Sequence, residues 1–546
     1  MPDLTLTYQD EPVGAREATT PTVDSLQDFC NLADILKTGN TAPQHATFED
    51  NYWILGKDFK LFPDNPKGLS WGLFSKQISG EDGAFAKPIT LMLMLSELHS
   101  SVGITLEFDK YGPTWCCDLQ IQWWRDGAVI HSQDYLPDQW QYVCLAEVSS
   151  FDMVTITFRK MSAGHRFLKL QALTYGITRL FTSEEMYSVD LFQDTDLISD
   201  TVSVNTMDFV LRNKSAINFM FQRRQPLRAE YGSELLGVYY ISTAEKTGAN
   251  RHDIHAVDLV GLAEMTDEHK GGLYTGERAE DVLSDILGTG IPWQMEEALK
   301  DVPVYGHLPI ASRRDNLHQL AFALGATVRT GHRTFIEVSR LNRDGLAGSF
   351  DNPKGYENGT LKTSPLVTAV KVTAHSYIAS TTSDTLFEEE LDGEEELTFS
   401  EPVSDLQISG GRIVESGVNY AVITGTGEKV TLTGCTYAHV QRIYSKRNPL
   451  RNANDPENPV SYSDMTLVTP YNVQDVLEAC YAHNLRRETI SGKVLTLTER
   501  PGDYVEILTD SDGVKRGHLV SLDYSISTKL AADAVILADH EGDDAG

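Results

Sequence analysis

The chain has 546 residues, enough for about three to four domains, with 41% hydrophobic residues and 78 acidic against 46 basic side chains, a formal net charge of −32. That balance argues against nucleic-acid binding, which needs Lys and Arg to neutralise phosphates, and fits a soluble, self-repelling surface. Six cysteines without a C-x-x-C pair are no disulfide framework, and the adjacent Cys116–Cys117 suits neither a tetrahedral zinc nor an easy disulfide, so all six read as reduced thiols made in a cytoplasm.

The start, "MPDLTLTYQDEP", has neither a basic n-region nor an apolar h-region, so no signal peptide is expected. Residues 1–48 read as a polar N-terminal arm with one short helix near Leu26, Phe29, Cys30 and Leu32, stopped by Gly39. Residues 49–176 change character. Five of the seven tryptophans lie between Trp71 and Trp140, with Trp53 just upstream. Period-two runs recur in "VGITLEFD", "DLQIQWW" and "MVTITF", separated by turns such as "DKYGP" and "RDGA", which predicts an antiparallel β-sandwich. The greasiest run, "ITLMLMLSEL" at 89–98, is too short to span a bilayer and reads as a buried strand.

Strands continue over 177–265. "SVNTMDFVLR" alternates through Met207, Phe209 and Leu211, and "EKTGAN" reads as the turn between strands Gly237–Ala244 and Arg251–Val260. Residues 266–345 read as α+β. One helix buries Ala279, Val282, Leu283, Ile286 and Leu287 and ends at Gly288. A second starts at the N-cap Ser312, carries Leu317, Leu320, Ala321 and Leu324, and ends at Gly325; a hairpin then turns at Thr330–Arg333. Residues 346–546 hold a Gly/Asn/Pro-rich linker, more strands, a helix with Asn472 as N-cap, and an acidic tail, "DHEGDDAG". Within them "EEELDGEEE" at 388–396 carries seven acids in nine positions and reads as a solvated loop.

The chemistry-bearing residues narrow quickly. His252 and His255 are spaced H-x-x-H, with Asp253 and Asp258 beside them. On a strand, residues three apart point to opposite faces, so the two imidazoles cannot ligate one metal unless the segment is helical, and the Thr-Gly-Ala-Asn turn and β-branched flank oppose a helix. No G-x-S-x-G, H-E-x-x-H, Walker loop or G-x-G-x-x-G occurs. The carboxylates are too numerous for any pair to be picked as a glycosidase dyad. The acid run offers oxygen ligands that suit calcium but lacks the spaced D-x-D-x-D-G pattern. No catalytic residue, metal site or cofactor is therefore expected. Aromatic faces stack on sugar C–H surfaces, and Trp71, Trp115 and Trp140 fall in or beside predicted loops, which makes them the carbohydrate-binding candidates; Trp53 and at least one of Trp123 and Trp124 read as core.

Two stretches carry a family resemblance. From Asn51 to Gly176, on "NYWILGKDFKLFPD", "ISGEDGAF", "ELHSSVGITLEFD", "VTITFRKM" and "LKLQALTYG", the chain resembles the discoidin-like, galactose-binding-type sandwiches inserted in tail proteins of phages of Gram-positive bacteria. From about Ser199 to Leu287, on "ISDTVSVNTMDFVLR", "FQRRQPLRAEYGSELLGVYYISTAEKTGANRHDIHAVDLVGLAEM" and "GGLYTGERAEDVLSDILG", it resembles phage tail hub proteins of the baseplate hub and tail-associated family. The closing "PGDYVEILTDSDGVKRGHLVSLDYSIST" looks like a second hub barrel. The resemblance implies a homotrimer in which two tube-like barrels per subunit build a pseudo-sixfold ring under the tail tube. Distal tail, tape-measure and tip or spike proteins would be its partners, with a host surface glycan as a further one. Such hubs often carry a C-terminal peptidase or fibre region, and neither is expected here.

The expected fold is mainly β and multidomain: an arm (1–48), a galactose-binding-like β-sandwich (49–176), a hub barrel (177–265), an α+β domain (266–345) and a second hub barrel with a helix-bearing insert and acidic tail (346–546). The expected function is structural and non-enzymatic, a tail-tip hub of a bacteriophage virion or phage-like particle, made in the host cytoplasm and lined by an anionic channel. The alternative is a distal tail or receptor-binding protein that recognises cell-wall carbohydrate. A wall-glycan hydrolase is the third reading, disfavoured by the missing motifs.

Overall fold

A computed structural model describes residues 4–9, 14–37, 47, 49, 71–109, 114–176, 178–212, 224–232, 234–248, 251–288, 290–343, 345–350, 357–452, 454, 456–496, 498–509, 513–526 and 531–539. Trp53, the "NYWILGKDFKLFPD" stretch and all but the first residue of the acidic tail lie outside them. The chain divides into two compact units, one of Leu6–Thr182 with Lys214–Leu227, the other of Met1–Thr5, Ser183–Asn213 and Arg228–Gly546. It is mainly β and multidomain, as the alternating runs predict.

The first unit holds an antiparallel sheet in the order Leu73–Ile78, Phe167–Tyr175, Ala84–Phe108, Gln141–Met161, Cys116–Arg125, Ala128–Tyr135. Its two longest strands run 25 and 21 residues. Register shifts between Met94 and Gly103 interrupt their pairing, and such irregularities let a long strand bend. Residues on both sides of the bend, Leu91, Leu93, Ile104, Leu106, Ile156 and Phe158, join one core with Trp123, so the sheet wraps around its own apolar face. The run at 89–98 lies in this core through Ile89, Leu91, Leu93 and Leu95.

Part of the segment read as an arm belongs to this sheet. Thr19–Val23 pairs with Ala84–Phe108, from Thr19 opposite Leu95 to Val23 opposite Leu91. The strand Phe167–Tyr175 covers Ala84–Phe108 only from Ile104 to Phe108, so the Leu91–Leu95 edge is open to another partner. Leu26, Phe29 and Cys30 lie outside any helix, and a single 3₁₀ turn follows them at Leu32–Leu36, with the Asn31 side chain accepting from the Ala33 N–H at 3.3 Å.

In the second unit the main sheet runs Glu357–Thr363, Glu488–Leu495, Ala531–Ala538, Gly513–Ser525, Met186–Asp194, Thr206–Arg212, Arg251–Val257, Glu234–Gly248. Here the structure departs from the expected pair of tube-like barrels, since no closed barrel is present among the described residues. Strands from both β-rich blocks share one open sheet, joined where Met186–Asp194 pairs with Gly513–Ser525 through Asp190–Ser525, Leu191–Tyr524 and Phe192–Asp523. A barrel needs its first and last strands to pair with each other; these blocks pair across their boundary instead.

Helices Ala279–Leu287 and Arg313–Leu324 form where the stripes place them, with Ala279, Val282, Leu283, Leu317 and Leu320 buried. Gly288 and Gly325 end them at φ +67° and +61°, a region open to glycine at little cost. Ser312 accepts from the Asp315 N–H at 3.0 Å. Ser312→Ala is expected to cost about 1 kcal/mol of stability, read by urea denaturation of the chain; an unchanged midpoint would refute the cap. Strands Thr327–Arg329 and Ile336–Ser339 form the hairpin around the turn at Thr330–Arg333. The helix Val473–Leu485 begins after Asn472 as expected, but the Asn472 amide oxygen accepts from the Thr469 N–H at 2.7 Å rather than from the helix.

A long hairpin, Ala369–Thr398 with Tyr420–Arg447, is paired from Ala369–Arg447 to Thr398–Tyr420. Its distal half encloses a small core of Leu391, Ala421, Ile423, Val430 and Leu432 with the strands Val403–Ser409 and Arg412–Ser416 alongside. The acid run, expected in a loop, lies on the first strand of this hairpin. Leu391 is buried and the flanking Phe387 and Leu397 pack on the same core, while the acids stay exposed. The strand needs only these inward apolar side chains, because solvent keeps the outward carboxylates hydrated.

Candidate functional site

The three tryptophans are not brought together. Trp71 is 1% exposed and sits edge-to-face on Phe74 at 6.1 Å. The Lys169 ammonium lies 5.7 Å from its ring centre, itself buried and ion-paired with Glu49 and, at 3.4 Å, with Asp109. Trp115 is half-buried and its indole Nε1 donates to the Pro137 carbonyl at 3.0 Å. Trp140 is 38% exposed, and its carbonyl accepts from the Phe108 N–H at 2.7 Å. Trp115 and Trp140 thus both border the 136–140 segment, beside the exposed Leu136. Trp123 is fully buried, and the half-buried Trp124 donates to Thr155 Oγ1 at 3.1 Å.

The H-x-x-H segment lies on the strand Arg251–Val257, where Ile254 and Ala256 are buried. Strand parity puts His255 on the opposite, outward face, and its Nδ1 lies 2.7 Å from Asp208. The predicted strand is shorter than expected. Asp258 leaves it to cap the helix Leu259–Met265, accepting from the Gly261 N–H at 3.0 Å and from the Thr330 hydroxyl. Burial pushes the Asp258 carboxyl up to about 6 against the hydrogen bonds that lower it. Among the described residues no group of three or more His, Cys, Asp or Glu side chains is placed to hold a metal.

What this face does carry is a row of carboxylates. Glu245 stands opposite Asp253. His255 stands opposite Asp208, which stands opposite Asp190. Across the seam between the two blocks Asp523 follows, opposite Phe192 on one side and Asp533 on the other. Val189, Leu191, Met207, Phe209, Leu522, Tyr524, Ala532 and Ala534, their sequence neighbours, are buried on the other face. Asp190, Asp208, Glu245, Asp253 and His255 line a shallow groove of about 310 Å³. Partial burial first, then the nearby Asp533 and Asp190 carboxylates, push the Asp523 carboxyl above its usual range. The Arg251 guanidinium, hydrogen-bonded at 2.9 Å, holds Asp253 below it. Among the described residues Asp190, Asp523 and Asp533 have no ion-pair partner.

Two directly opposed Asp–Asp pairs, Asp190–Asp208 and Asp523–Asp533, each cost roughly 0.2–1 kcal/mol relative to neutral pairs. Such an arrangement has no nucleophile–base geometry; it presents negative potential over a broad surface and repels polyanions. The sequence carried a signal for it that reading by motif missed. "SVDLF", "TMDFV", "SLDYS" and "AADAV" each place one Asp in the outward slot of an otherwise apolar strand. Burial pushes the Cys30, Cys116 and Cys480 thiols up to about 12, which disfavours their reactive thiolates. No helix among the described residues is long and apolar enough to cross a membrane.

No family model and no curated protein matches the chain. Among solved structures it is similar to a tail protein from Neisseria meningitidis MC58, at 10% identity and a TM-score of 0.43 over 67% of this chain and 94% of that one. It is also similar to the 43 kDa tail protein of prophage MuSo2 from Shewanella oneidensis, at 7% identity and a TM-score of 0.41 over 66% and 94%. A third likeness is to prophage tail protein gp18 from Listeria monocytogenes EGD-e, at 10% identity and a TM-score of 0.39 over 67% and 93%. At these scores the likeness assigns neither family nor activity.

Proposed function

We propose that this chain is a structural, non-enzymatic tail-tip subunit of a bacteriophage or phage-like particle, a hub protein that assembles as a homotrimer with tail-tube, distal tail, tape-measure and tip proteins. The observation that carries the reading is the carboxylate row, which crosses strands of both β-rich blocks on one exposed sheet face. A surface bordering a DNA passage must not bind phosphate, and opposed aspartates that weaken their own sheet are accounted for by that requirement. The sequence resemblance to hub proteins over Ser199–Leu287 supports the same reading.

Mass photometry of the purified chain is expected to give a trimer, and cryo-electron microscopy of particles to place it below the tail tube. A monomer, together with tail-tip density unaltered when the chain is deleted, would overturn the proposal. A second reading rests on Trp140, which is exposed and follows Leu136 and Pro137, the residue to whose carbonyl Trp115 donates. In it, the first unit binds host cell-wall carbohydrate by stacking. Trp140→Ala should then weaken binding of the full chain to purified wall polysaccharide by at least about tenfold, the effect of losing one stacking contact of roughly 1.5 kcal/mol. Equal binding by both forms, or none by either, rejects this reading and leaves the unit as a spacer.

A further inference from the structure

A pocket of about 560 Å³ lies in the second unit and shares no residue with the carboxylate row. It sits on the outward face of a small three-stranded sheet. Trp293–Met295 pairs in parallel with Ile336–Ser339, which pairs in turn with Thr327–Arg329. Register places Gln294 beside Glu337 and Glu337 beside Arg329, so these three side chains form the floor. Their sequence neighbours Met295, Ile336, Val338 and Val328 are buried in the core on the other face. The wall is Arg340–Asn342, where the chain leaves the middle strand.

The charges of the floor are already matched. Glu337 Oε2 lies 2.8 Å from a guanidinium nitrogen of both Arg329 and Arg333. Arg329 also donates to Ser339 Oγ at 2.9 Å and stands 3.7 Å from Asp503. The wall differs. Glu296 Oε2 accepts from the Arg340 backbone N–H at 2.8 Å. The exposed Arg340 guanidinium, however, has no partner among the described residues, and neither has the exposed Gln294 amide. The Arg329 Nε–H, shielded from solvent at the floor, has no acceptor among them either.

A free guanidinium offers a planar fork of N–H donors that matches a carboxylate. Two features narrow the ligand further. Glu296 has a second oxygen available to accept from an N–H, and two carboxylates in one pocket oppose a dianion. A ligand with one carboxylate and N–H donors satisfies both, which an acidic peptide does and inorganic phosphate does not. We propose that this pocket binds an acidic peptide segment, with a side-chain carboxylate on the Arg340 fork and a backbone N–H on Glu296. The source that position favours is the chain's own. Asp539 lies 3.3 Å from Arg343, the neighbour of the wall residue Asn342, and accepts from the Tyr504 hydroxyl at 2.6 Å. Residues 540–546, outside the described residues, carry Glu541, Asp543 and Asp544. Asp543 follows Asp539 by about 14 Å of chain at most, and so short a tether gives an effective concentration of roughly millimolar order.

Calorimetric titration of the full chain with the peptide acetyl-Glu-Gly-Asp-Asp-Ala-Gly-amide tests the site. Glu541→Gln, Asp543→Asn and Asp544→Asn together remove the chain's own carboxylates. The peptide should bind this triple variant at least about tenfold more tightly than the parent, whose own segment competes. Adding Arg340→Ala should then weaken the peptide at least about tenfold, the loss of a charged hydrogen-bonded fork. Arg340→Lys keeps the charge but not the fork and should restore only part of the affinity. Arg340 is exposed, so an unchanged urea midpoint is expected in both variants. Arg412→Ala, at an exposed arginine on another sheet, should leave binding as it is. Equal affinity of parent and triple variant would overturn the intrachain source and give the pocket to a partner's acidic segment. No binding by the triple variant, an equal loss in Arg412→Ala, or tighter binding of inorganic phosphate than of the peptide overturns the site itself.

Discussion

Asp190→Lys combined with Asp523→Lys is expected to raise the affinity of the chain for duplex DNA, without loss of stability. Each lysine lands opposite a remaining aspartate, Asp208 or Asp533, so two repulsive cross-strand pairs become attractive ones. The sheet should gain about 0.5 kcal/mol per pair. The face loses two negative charges and gains two positive ones at its centre. At about 50 mM salt the variant should retard duplex DNA at least tenfold more strongly than the parent, and moderate salt should erase the effect because each phosphate contact releases counterions. In particles, the same substitutions should assemble normally and lower DNA delivery by at least about tenfold. Gel shift, urea denaturation and infectivity together separate the outcomes. A variant that is stable, assembles and delivers DNA as well as the parent would show that the carboxylate row borders no DNA passage.

The second large effect is acid lability of the second unit. Burial drives His332 and His518 down to about 3 and His483 down to about 4, from an ordinary value near 6.5. Their folded pKa values lie below their unfolded ones, so between those values the unfolded chain binds more protons. Stability from these groups is therefore complete above about pH 6.5 and falls as pH drops below it. Asp258, raised to about 6, acts oppositely, gaining stability as pH falls through that value. One carboxyl shifted by about two units cannot offset three imidazoles shifted by more. The expected contribution of these four groups is a loss of roughly 3–5 kcal/mol between pH 7 and pH 5, measured by urea midpoints across that range. His518→Gln should remove part of the slope. A pH-independent midpoint would show that these rings are not held neutral. Asp258→Ala should be costly at every pH, since it removes a helix cap and leaves the buried Thr330 hydroxyl without its acceptor.

Local chemistry was readable from local sequence. The cap Ser312 and the stop glycines Gly288 and Gly325 act within one turn of chain, so their residue types suffice. The separation of His252 from His255 follows from the two-residue period of any strand, whatever it pairs with. Asp258 shows how a nearby signal is lost. Its Asp before "LVGLAEM" is an N-cap pattern, but the alternating run preceding it extends the strand reading through Val260. The acid run was misplaced for a related reason. Charge density argues for solvent, and solvent is equally available to one face of a hairpin strand.

Contacts distant in sequence decided the rest. Nothing local to Trp71 announces that Phe74 and Lys169 cover its ring, or that Trp115 and Trp140 border one segment instead. Nothing in the two β-rich blocks states that they share a sheet, because backbone hydrogen bonding is indifferent to which strand supplies the partner. The sequence by itself determined the mainly β class, the helix ends, the outward parity of each aspartate and the overall negative charge, since all of these depend on residue type and short-range period. Only the tertiary structure decided that Asp190, Asp208, Asp523 and Asp533 stand in one row and that Gln294 and Arg329 flank Glu337. Those juxtapositions are set by inter-strand register, which long-range packing chooses among many pairings that the same alternating pattern allows.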